Sequence, residues 1–564
     1  MNNKFYLEII NEIKNKELSV KQLAKLKRDL SLKHHLKEIP TNIQILFNCD
    51  ENDFPLLRKK LLTKPTRTIS GVAPVAIMTK PMKCPHGKCI MCPGGPSSEF
   101  GDVPQSYTGK EPATMRGMRN KYDSYLQVFN RLQQYILLGQ NCEKVELILM
   151  GGTFPSFPLE YQEEFVKYAF KAMNDFSELF FDENGFDYIK FKDFFEFPAD
   201  NIADEDRIKR IHDNLFNLKG ECELLEEQKK NETAKIRCVA LCIETRPDYG
   251  LLEQGNQMLK LGATRIELGI QSVYDDILEK IQRGHTTKET IESIRILKDL
   301  GFKVAGHYMP GLPGVDYEMD LEGMELLFSD SDYKPDMLKI YPCMVTKGTK
   351  LYEEYEQGDF KPLTAETAAK LIAEFKKTIP EYCRVMRVQR DIPTYQIAAG
   401  VEMTNLRQYM HQNYNVKCRC IRCREPKNKE INWDKVSIKV QEYEASKSKE
   451  FFISVEDVEN DLLIGFVRLR FPSESLRSEI TSDSALVREL HVYGTAVGVG
   501  STGSVQHKGW GKKLMAKAEE IALAHGKKKI VVISGIGVRE YYKKMGYSLE
   551  GVYMVKNVNT KNNP

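Results

Sequence analysis

Short apolar runs alternate with amphipathic stretches through the middle of the 564-residue chain. Segment 284–302 has a threonine near its start that can cap a helix and a glycine near its end, which predicts an amphipathic helix. Repeated strand and helix units predict a parallel sheet, open or closed into a barrel, over residues 71–395. The runs with strand length are 145–150, 239–244, 265–270, 303–309 and 336–342.

The two ends of the chain follow other patterns. Apolar residues at helical spacing, among them Ile9, Ile10 and Ile13, predict a helical region over 1–70. From 437 to 564, strand-like runs surround a glycine-rich turn and a long helix, which predicts a separate α+β domain. Residues 171–235 interrupt the central alternation, and we expect a helical insertion or a lid over the active-site mouth there.

The net charge of +3 is unevenly distributed. Residues 1–70 contain 14 Lys/Arg and 8 Asp/Glu, whereas residues 171–235 contain 10 and 17. A basic arm suits a polyanionic partner, because neutralised phosphates give affinity that does not depend on sequence. A solvated lysine-rich helix face is the alternative, and composition by itself favours it.

No apolar run approaches the roughly 18 residues that a membrane-spanning helix needs. The first residues are amphipathic and of mixed charge, without an apolar signal core. These features predict a cytoplasmic protein with no membrane partner. In such a compartment, clustered cysteines indicate metal binding rather than disulfide bonds.

The first cysteine cluster is CPHGKCIMC, with Cys84, Cys89 and Cys92. Three thiolates can hold three irons of a [4Fe-4S] cluster, which leaves the fourth iron open to S-adenosylmethionine. The spacing has one residue more between the first two cysteines than is usual for radical S-adenosylmethionine enzymes. A zinc site completed by His86 or by a distant ligand is the alternative.

Gly151 and Gly152 end the strand that follows the first cluster. Without Cβ atoms, these glycines would let the backbone approach the methionyl part of S-adenosylmethionine. A plain turn is the alternative, and this segment alone would favour it.

The C-terminal domain carries QHKGWG at 506–511 at the start of its long helix. Backbone N–H groups at such a helix start bind a diphosphate, and this pattern matches the acetyl-CoA loop of GNAT acetyltransferases. The strand RELHVYG precedes it, and the tyrosines Tyr541 and Tyr542 follow the next strand. Either tyrosine could donate a hydrogen bond to the departing thiolate, with core packing as the alternative.

An ordered set of motifs gives the family resemblance. Together they resemble the catalytic subunit of Elongator, the tRNA wobble-uridine acetyltransferase family, which joins a radical S-adenosylmethionine domain to a GNAT domain. The match extends from about residue 65 to the C-terminus. The motifs are KPMKCPHGKCIMCPGGP, QSYTGKEPATMR, MGGTF, IETRPDYG, LGIQS, RGHT, LKIYP, RVQRDIP, RELHVYG and QHKGWG.

The resemblance implies a partial (β/α) barrel with a C-terminal GNAT domain and a reaction at C5 of uridine 34 in tRNA. The deoxyadenosyl radical would abstract hydrogen from the methyl group of acetyl-CoA, and the carbon radical would add to the uridine. Hydrolysis of the thioester would leave a carboxymethyl group. Two cofactor sites in one chain suit this chemistry, because a reactive radical must meet its acceptor away from water.

The resemblance also implies roles for individual residues. Cys84, Cys89 and Cys92 match the cluster ligands, although the spacing between the first two cysteines is shorter than in eukaryotic members. Lys144 matches a lysine assigned to acetyl-CoA binding at the radical domain, and a solvated strand-entry lysine is the alternative. The matched acetyl-CoA contacts of the GNAT domain are Glu489, Leu490, His491, Val492, Gly509, Trp510, Gly511 and Tyr542.

A second cysteine cluster lies in the connecting segment 396–436. Cys418, Cys420 and Cys423 have spacings that bind zinc readily, with His411 as a candidate fourth ligand. The resemblance makes tRNA the expected partner of the basic residues, with a homodimer or Elongator-like subunits as further possible partners. The basic residues at this cluster are Lys417, Arg419, Arg422, Arg424 and Lys427.

Two other functions remain open at this point. A GNAT domain more often acetylates amines, so a protein lysine acetyltransferase is one alternative, and it would not need Cys84, Cys89 and Cys92. A tRNA-binding scaffold with inactive radical machinery is the other.

Overall fold

The structure is a computed structural model, and it describes residues 3–61, 71–183, 185–198, 204–427, 429–493 and 509–558. Four α-helices lie in the described part of the N-terminal region, residues 3–61. Apolar residues at helical spacing, including Phe5, Ile9 and Ile13, are buried, as the sequence predicts. The helices are α1 Asn3–Asn15, α2 Val20–Lys33, α3 Asn42–Phe47 and α4 Phe54–Lys60.

The middle region contains thirteen strands and fourteen helices in its described part. No helix in the described ranges is long and apolar enough to cross a membrane. The strands are β1 Ala73–Met78, β2 Gly95–Ser98, β3 Gly101–Val103, β4 Lys144–Met150, β5 Phe181–Asp182, β6 Gly185–Phe186, β7 Arg237–Thr245, β8 Arg265–Gln271, β9 Lys303–Tyr308, β10 Met337–Ile340, β11 Val345–Thr346, β12 Arg384–Arg387 and β13 Ile397–Ala399. The helices are α5 Pro112–Arg119, α6 Ser124–Leu137, α7 Leu159–Phe180, α8 Tyr188–Phe194, α9 Glu205–Lys219, α10 Leu224–Asn231, α11 Leu252–Lys260, α12 Asp275–Lys280, α13 Thr287–Asp299, α14 Tyr317–Ser329, α15 Lys350–Glu356, α16 Ala365–Phe375, α17 Leu406–Asn413 and α18 Ile421–Arg424.

Seven parallel strands form one sheet in the order β1-β4-β7-β8-β9-β10-β12. The sheet is open, with β1 and β12 at its edges. All five strands predicted from the apolar runs are confirmed. The predicted helix is α13, and its first turn has a capping box in which Thr286 and Glu289 satisfy each other's backbone N–H groups.

The acidic interval 171–235 is largely helical in its described residues. It begins inside α7 rather than at a break, since α7 continues to Phe180, and it ends after α10. Its aromatic residues pack on the N-terminal region: Phe54 stacks on Tyr188 at 3.7 Å, and Phe47 stacks on Phe197 at 4.1 Å. The interval 171–235 therefore packs against the N-terminal helices through these aromatic pairs.

The C-terminal α+β domain is confirmed. Its sheet order is β14-β15-β16-β17-β18-β20-β19, antiparallel except for the parallel pair β17 and β18. The edge strand β14 is mostly exposed. The elements are β14 Val436–Ala445, β15 Ser448–Asp457, β16 Leu462–Arg470, β17 Ser484–Val492, α19 Trp510–Ala524, β18 Lys529–Val532, α20 Arg539–Lys543, β19 Ser548–Glu550 and β20 Tyr553–Asn557.

Buried charges join the C-terminal domain to the parallel sheet. The guanidinium of Arg488 donates to both carboxylate oxygens of Asp336, at 2.7 and 2.6 Å, and to Glu450 at 2.7 Å. Arg470 donates to Asp299 at 2.8 Å, and both of these side chains are fully buried. Each of these buried charged groups therefore has a partner of opposite charge, which is the condition under which buried ions are tolerated.

Candidate functional site

The three N-terminal cysteines lie at the carboxyl edge of the parallel sheet. They follow β1, whose last residue Met78 pairs in register with Met150 at the end of β4. Cys84, Cys89 and Cys92 all line one cavity of about 1400 Å³. The cluster candidates and the glycines after β4 therefore meet at the same edge of the sheet, as parallel strands require.

Polar groups surround the three sulfur atoms. Cys84 Sγ lies 3.5 Å from the Thr153 hydroxyl, and His86 Nε2 lies 3.2 Å from Cys89 Sγ. The backbone N–H of Ser106 donates to Cys92 Sγ at 3.3 Å. Burial raises the pKa of the Cys92 thiol to about 11, so a bound metal is what would favour its thiolate form.

The spread of the sulfur atoms distinguishes the two cysteine clusters. Among the described residues, the sulfurs of Cys418, Cys420 and Cys423 all lie within 4.8 Å of one another, whereas those of Cys84, Cys89 and Cys92 form no such group. Zinc–sulfur bonds of about 2.3 Å keep the sulfurs on one zinc within about 4.6 Å. Cysteines of a cubane cluster bind separate irons and lie farther apart. The first cluster therefore fits [4Fe-4S], and the second fits a single zinc ion.

The glycines after β4 allow a close approach to this edge. Gly151 has φ 122°, and a Cβ there would lie 2.2 Å from Thr79 Oγ1. Gly152 has φ 90°, and its Cβ would lie 3.7 Å from Cys84 Sγ. At Gly151 the positive φ and the lack of space both call for glycine, whereas at Gly152 only the positive φ does. The role of these two glycines in the approach of S-adenosylmethionine stays a prediction, and a plain turn remains the alternative.

Four buried or half-buried acid and base groups lie on adjacent strands of the parallel sheet, and no motif in the sequence assigned them to the site. Glu244, Glu267, His307 and Lys339 stand on four consecutive strands, β7 to β10, and all line the cavity. His307 Nε2 lies 2.9 Å from Glu267 Oε2, and Lys339 forms ion pairs with both glutamates. Each residue lies within an apolar run, where periodicity alone predicts only a buried strand.

In the C-terminal domain, β17 and β18 separate before β17 ends. Their pairing stops at Val487 and Val532, whereas β17 continues to Val492. Glu489, Leu490, His491 and Val492 therefore lie on the part of β17 that has parted from β18. This splayed backbone can pair with an amide-containing ligand, and it matches the expected path of pantetheine.

The described start of α19 contains the last three residues of the expected diphosphate loop, whose binding role stays a prediction. Gly509 has φ 76° at the position before Trp510, where the helix begins. A Cβ on Gly511 would lie 2.4 Å from the hydroxyl oxygen of Tyr541. The earlier part of the signature, 506–508, and Gly494 lie outside the described residues.

The tyrosine pair after β18 is divided between two environments. Tyr541 is 38% exposed, with its hydroxyl beside the first turn of α19. Tyr542 is buried in the domain core, and burial together with Tyr541 and Glu489 raises the pKa of its phenol. Tyr541 therefore faces the diphosphate end of the expected cofactor path. Which tyrosine contacts the thioester stays a prediction.

Lys144 lies away from the cysteines. It is the first residue of β4, paired with Arg237 of β7, whereas the glycines follow the last residue of β4. A seven-residue strand separates these ends by about 20 Å. Arg237 is contacted by the loop after β18, since a Cβ on Gly537 would lie 2.6 Å from the Arg237 Cβ. Lys144 is thus close to the domain junction, and its acetyl-CoA role stays a prediction.

The second cysteine cluster supports one wall of the cavity. Cys420 precedes α18, and Arg422 in that helix donates to the Met386 carbonyl at 3.0 Å. Arg422 and Lys427 line the cavity. His411 is exposed on α17, and its ring nitrogens are not among the ligand atoms that lie within 4.8 Å of one another with the three sulfurs. Its part in the zinc site therefore stays a prediction.

A single cavity reaches from the first cluster to the C-terminal domain. Tyr493, which directly follows β17, lines the same cavity as Cys84, Cys89 and Cys92. Arg384 donates to the Tyr493 hydroxyl at 2.9 Å, which joins the sheet and the C-terminal domain at this wall. The wall is rich in basic side chains that could neutralise phosphates. They include Arg116, Arg131, Arg384, Arg387, Arg390, Arg422, Lys427 and Lys429.

Family models match most of the chain. An ELP3 N-terminal domain model matches residues 3–69 and a Radical SAM superfamily model matches 81–327. A Radical SAM C-terminal domain model matches 335–415. An acetyltransferase (GNAT) family model matches 414–547. The predicted order of radical and acetyltransferase parts is confirmed.

Curated proteins and a solved structure give the same result. The tRNA uridine(34) acetyltransferase of Methanocaldococcus jannaschii is 46% identical, over 96% of this chain and 95% of that protein. Elongator complex protein 3 of Homo sapiens is 39% identical, over 95% of this chain and 93% of that protein. The archaeal Methanocaldococcus infernus Elp3 with N-terminus deletion (1-46) is 41% identical with a TM-score of 0.70, covering 87% of this chain and 100% of that one.

Proposed function

The chain belongs to the family of Elongator complex protein 3 and the tRNA uridine(34) acetyltransferases, and from this premise we propose that it builds a carboxymethyl group on C5 of the wobble uridine of tRNA. The acetyl group comes from acetyl-CoA. The radical domain implies a [4Fe-4S] cluster with S-adenosylmethionine, and the GNAT domain implies acetyl-CoA.

One observation carries this proposal: the three cluster cysteines and Tyr493, the residue directly after β17, line the same cavity of about 1400 Å³. An enzyme that only acetylated amines would need the β17 site and no connection to these cysteines. A reaction between an acetyl carbon and uridine needs both sites to share one enclosed volume, so that a radical meets its acceptor before water does.

The residues of this chain would hold the reactants in the following way. Cys84, Cys89 and Cys92 would bind the cluster, and Gly151 and Gly152 would let S-adenosylmethionine approach it. When bound, these two groups supply the one-electron chemistry that activates a C–H bond.

The C-terminal domain would hold acetyl-CoA. The splayed part of β17 would pair with the pantetheine amides, and Gly509, Trp510 and Gly511 would receive the diphosphate at the start of α19. Tyr541 or Tyr542 would donate a hydrogen bond to the thiolate as CoA departs.

Basic residues support tRNA as the acceptor. Arg387, Arg390, Arg422 and Lys427 line the cavity wall, and an anticodon loop carries one phosphate for each nucleotide. On α2, Lys21, Lys25 and Arg28 are exposed and could contact the same RNA at a distance. The net charge of +6 on residues 1–70 is therefore complementary to the negative charge of tRNA.

Zinc at Cys418, Cys420 and Cys423 would fix the wall segment that carries Arg422 and Lys427. The short distances among the three sulfurs support this. Lys376 donates to Cys423 Sγ at 3.7 Å, and its buried ammonium would offset part of the thiolate charge. Zinc would thus have a structural role in the cavity wall.

The test is mass analysis of tRNA nucleosides after anaerobic incubation with acetyl-CoA, S-adenosylmethionine and a reductant. We expect 5-carboxymethyluridine at position 34, and none when any one component is omitted. Cys89→Ser should abolish the product, because it removes a cluster ligand. The matched control is Cys222→Ser, which changes a half-buried cysteine that does not line the cavity and should keep the product.

Two outcomes would contradict the proposal. A protein that acetylates lysine peptides equally well with and without Cys89, and never modifies tRNA, would be an amine acetyltransferase. A protein that binds tRNA but shows no iron–sulfur absorption after anaerobic reconstitution would be a scaffold.

A further inference from the structure

The acid–base cluster inside the sheet has a defined geometry. Glu244 pairs in register with Glu267 across β7 and β8, and His307 pairs with Lys339 across β9 and β10. Their side chains reach the same cavity as the cluster cysteines. Two of the contacts are tight, His307 Nε2 to Glu267 Oε2 at 2.9 Å and the Lys339–Glu267 ion pair. These four groups are therefore held relative to one another by neighbouring strands.

The His307 ring is oriented by two neighbours. Glu267 accepts the hydrogen of Nε2, and the Tyr341 ring packs edge-on against the imidazole with 5.5 Å between ring centroids. With Nε2–H donated, the lone pair remains on Nδ1. This is the relation of a general base to the carboxylate that orients it.

The charges around His307 favour its neutral form. Burial and then the Lys339 ammonium lower the pKa of His307, and they outweigh Glu267, which by itself would raise it. Burial alone would raise the pKa of Glu267, but Lys339 and Arg265 hold it well below its ordinary value. An ionised carboxylate, a neutral imidazole and an ammonium group therefore stand side by side. The titratable groups facing the ring are Glu244 from β7, Glu267 from β8, Lys339 from β10, and Tyr341 directly after β10.

We propose that His307, oriented by Glu267, is the general base for hydrolysis of the thioester that joins the modified uridine to CoA. Lys339 stabilises the negative charge that develops on the thioester oxygen. The inference rests on the proposed function and assigns residues to its last step. The cysteine motif and the GNAT motif assign no role in the reaction to these residues.

The step is balanced without a further reactant. Water gives one proton to His307 Nδ1 while its oxygen forms a bond to the thioester carbon. The carbon–sulfur bond then breaks, and the CoA thiolate takes the proton from His307. The products are the carboxymethyl group and free CoA, and no electron is gained or lost.

The test is His307→Gln under anaerobic conditions, with three readouts: 5′-deoxyadenosine, free CoA thiol, and intact tRNA analysed by mass spectrometry. We expect deoxyadenosine at the wild-type rate, because the radical step does not need this base. Carboxymethyluridine should form more slowly by a factor on the order of 10²–10⁴. A tRNA carrying the whole CoA thioester should accumulate, and hydroxylamine should cleave it to a hydroxamate.

His212→Gln is the matched control, since His212 lies on α9 in the helical insertion, and it should behave as the wild type. Glu267→Gln is the second variant: it keeps the shape of the side chain and should also accumulate the thioester conjugate. Both site variants should keep the iron–sulfur absorption of the wild type, which shows that they fold.

The outcomes separate the inference from the proposed function. If the wild type makes carboxymethyluridine and His307→Gln makes it at the same rate, the inference is overturned. It is also overturned if His307→Gln folds but forms no deoxyadenosine, because His307 then acts before hydrolysis. If the wild type itself makes no modified uridine, the proposed function fails.

Discussion

At the scale of single residues, backbone conformation at the sheet edge decides how close a cofactor can come. Gly151 combines φ 122° with a Cβ position 2.2 Å from Thr79 Oγ1. An alanine there would be strained twice, once by φ and once by the contact. The sequence signals this only as a glycine pair after a strand, which a turn would explain equally well.

We therefore expect Gly151→Ala to lower 5′-deoxyadenosine formation at least tenfold, since strain of about 1–3 kcal/mol would shift the backbone beside the cluster. Iron content per chain should stay unchanged. The control is Gly185→Ala, where φ is 118° but a Cβ would meet nothing within 4 Å. Equal deoxyadenosine rates for the two variants would contradict the expected role of Gly151.

At the scale of elements, the apolar runs predict the central strands. A strand of a parallel sheet that is covered on both faces is apolar along almost its whole length. β12 was not predicted: its sequence RVMR alternates polar and apolar residues over four positions at a sheet edge. β14 was missed for a related reason, since an exposed edge strand carries little apolar signal. Edge strands gain their partner only through the tertiary fold.

The connecting segment is the element that zinc would organise. We expect one zinc per chain by elemental analysis, lost in Cys420→Ser while iron at the first cluster remains, because the two sites share no ligand. The cavity wall with Arg422 should then loosen, and tRNA affinity should fall. Cys222→Ser should keep both metals. Unchanged zinc in Cys420→Ser would rule out this site.

At the scale of the whole molecule, buried ion pairs hold the two domains in one arrangement. Asp336 precedes β10, and Arg488 lies in β17, so their paired charges connect the sheet of the radical domain to the strand expected to bind acetyl-CoA. Replacing Arg488 removes one cation that Asp336 and Glu450 share, although Asp336 keeps Arg468, and Glu450 keeps Arg470 and Lys298. The arrangement of the two sites therefore depends on this junction.

Arg488→Met should destabilise the junction by about 1.5–3 kcal/mol, since Asp336 and Glu450 lose a shared cation and its charge-assisted hydrogen bonds. Hydrogen exchange of β10 and β17 would report the local free energy of opening. Arg210→Met is the control: its pair with Glu196 is on the surface, where such pairs contribute about 0–1 kcal/mol. Similar effects of both variants would contradict the role of the junction.

Acid should open the same junction. Opposing charges hold the pKa of Glu450 and of Glu489 at about 2, below the ordinary value of 4.5. A carboxylate whose pKa is lowered in the folded state stabilises that state at pH values above its ordinary pKa. This stability is lost as the pH falls from about 4.5 to about 2.

The loss should be on the order of 3 kcal/mol for each group. It can be followed as hydrogen exchange of β17 against pH. Arg488→Met should show a smaller acid effect, because one of the stabilising cations is absent. A junction equally protected at both ends of this pH range would contradict the prediction.

The sequence by itself determined the domain order, the parallel sheet, the first cysteine cluster and the acetyl-CoA signature, because these depend on local periodicity and on short motifs. Only the tertiary structure decided that the cluster cysteines share a cavity with Tyr493 after β17, and that Glu244, Glu267, His307 and Lys339 meet. Those residues are far apart in the chain, and parallel pairing alone brings them side by side. The buried contacts of Arg488 likewise have no sequence signal, since a partner across a domain junction leaves no periodic pattern.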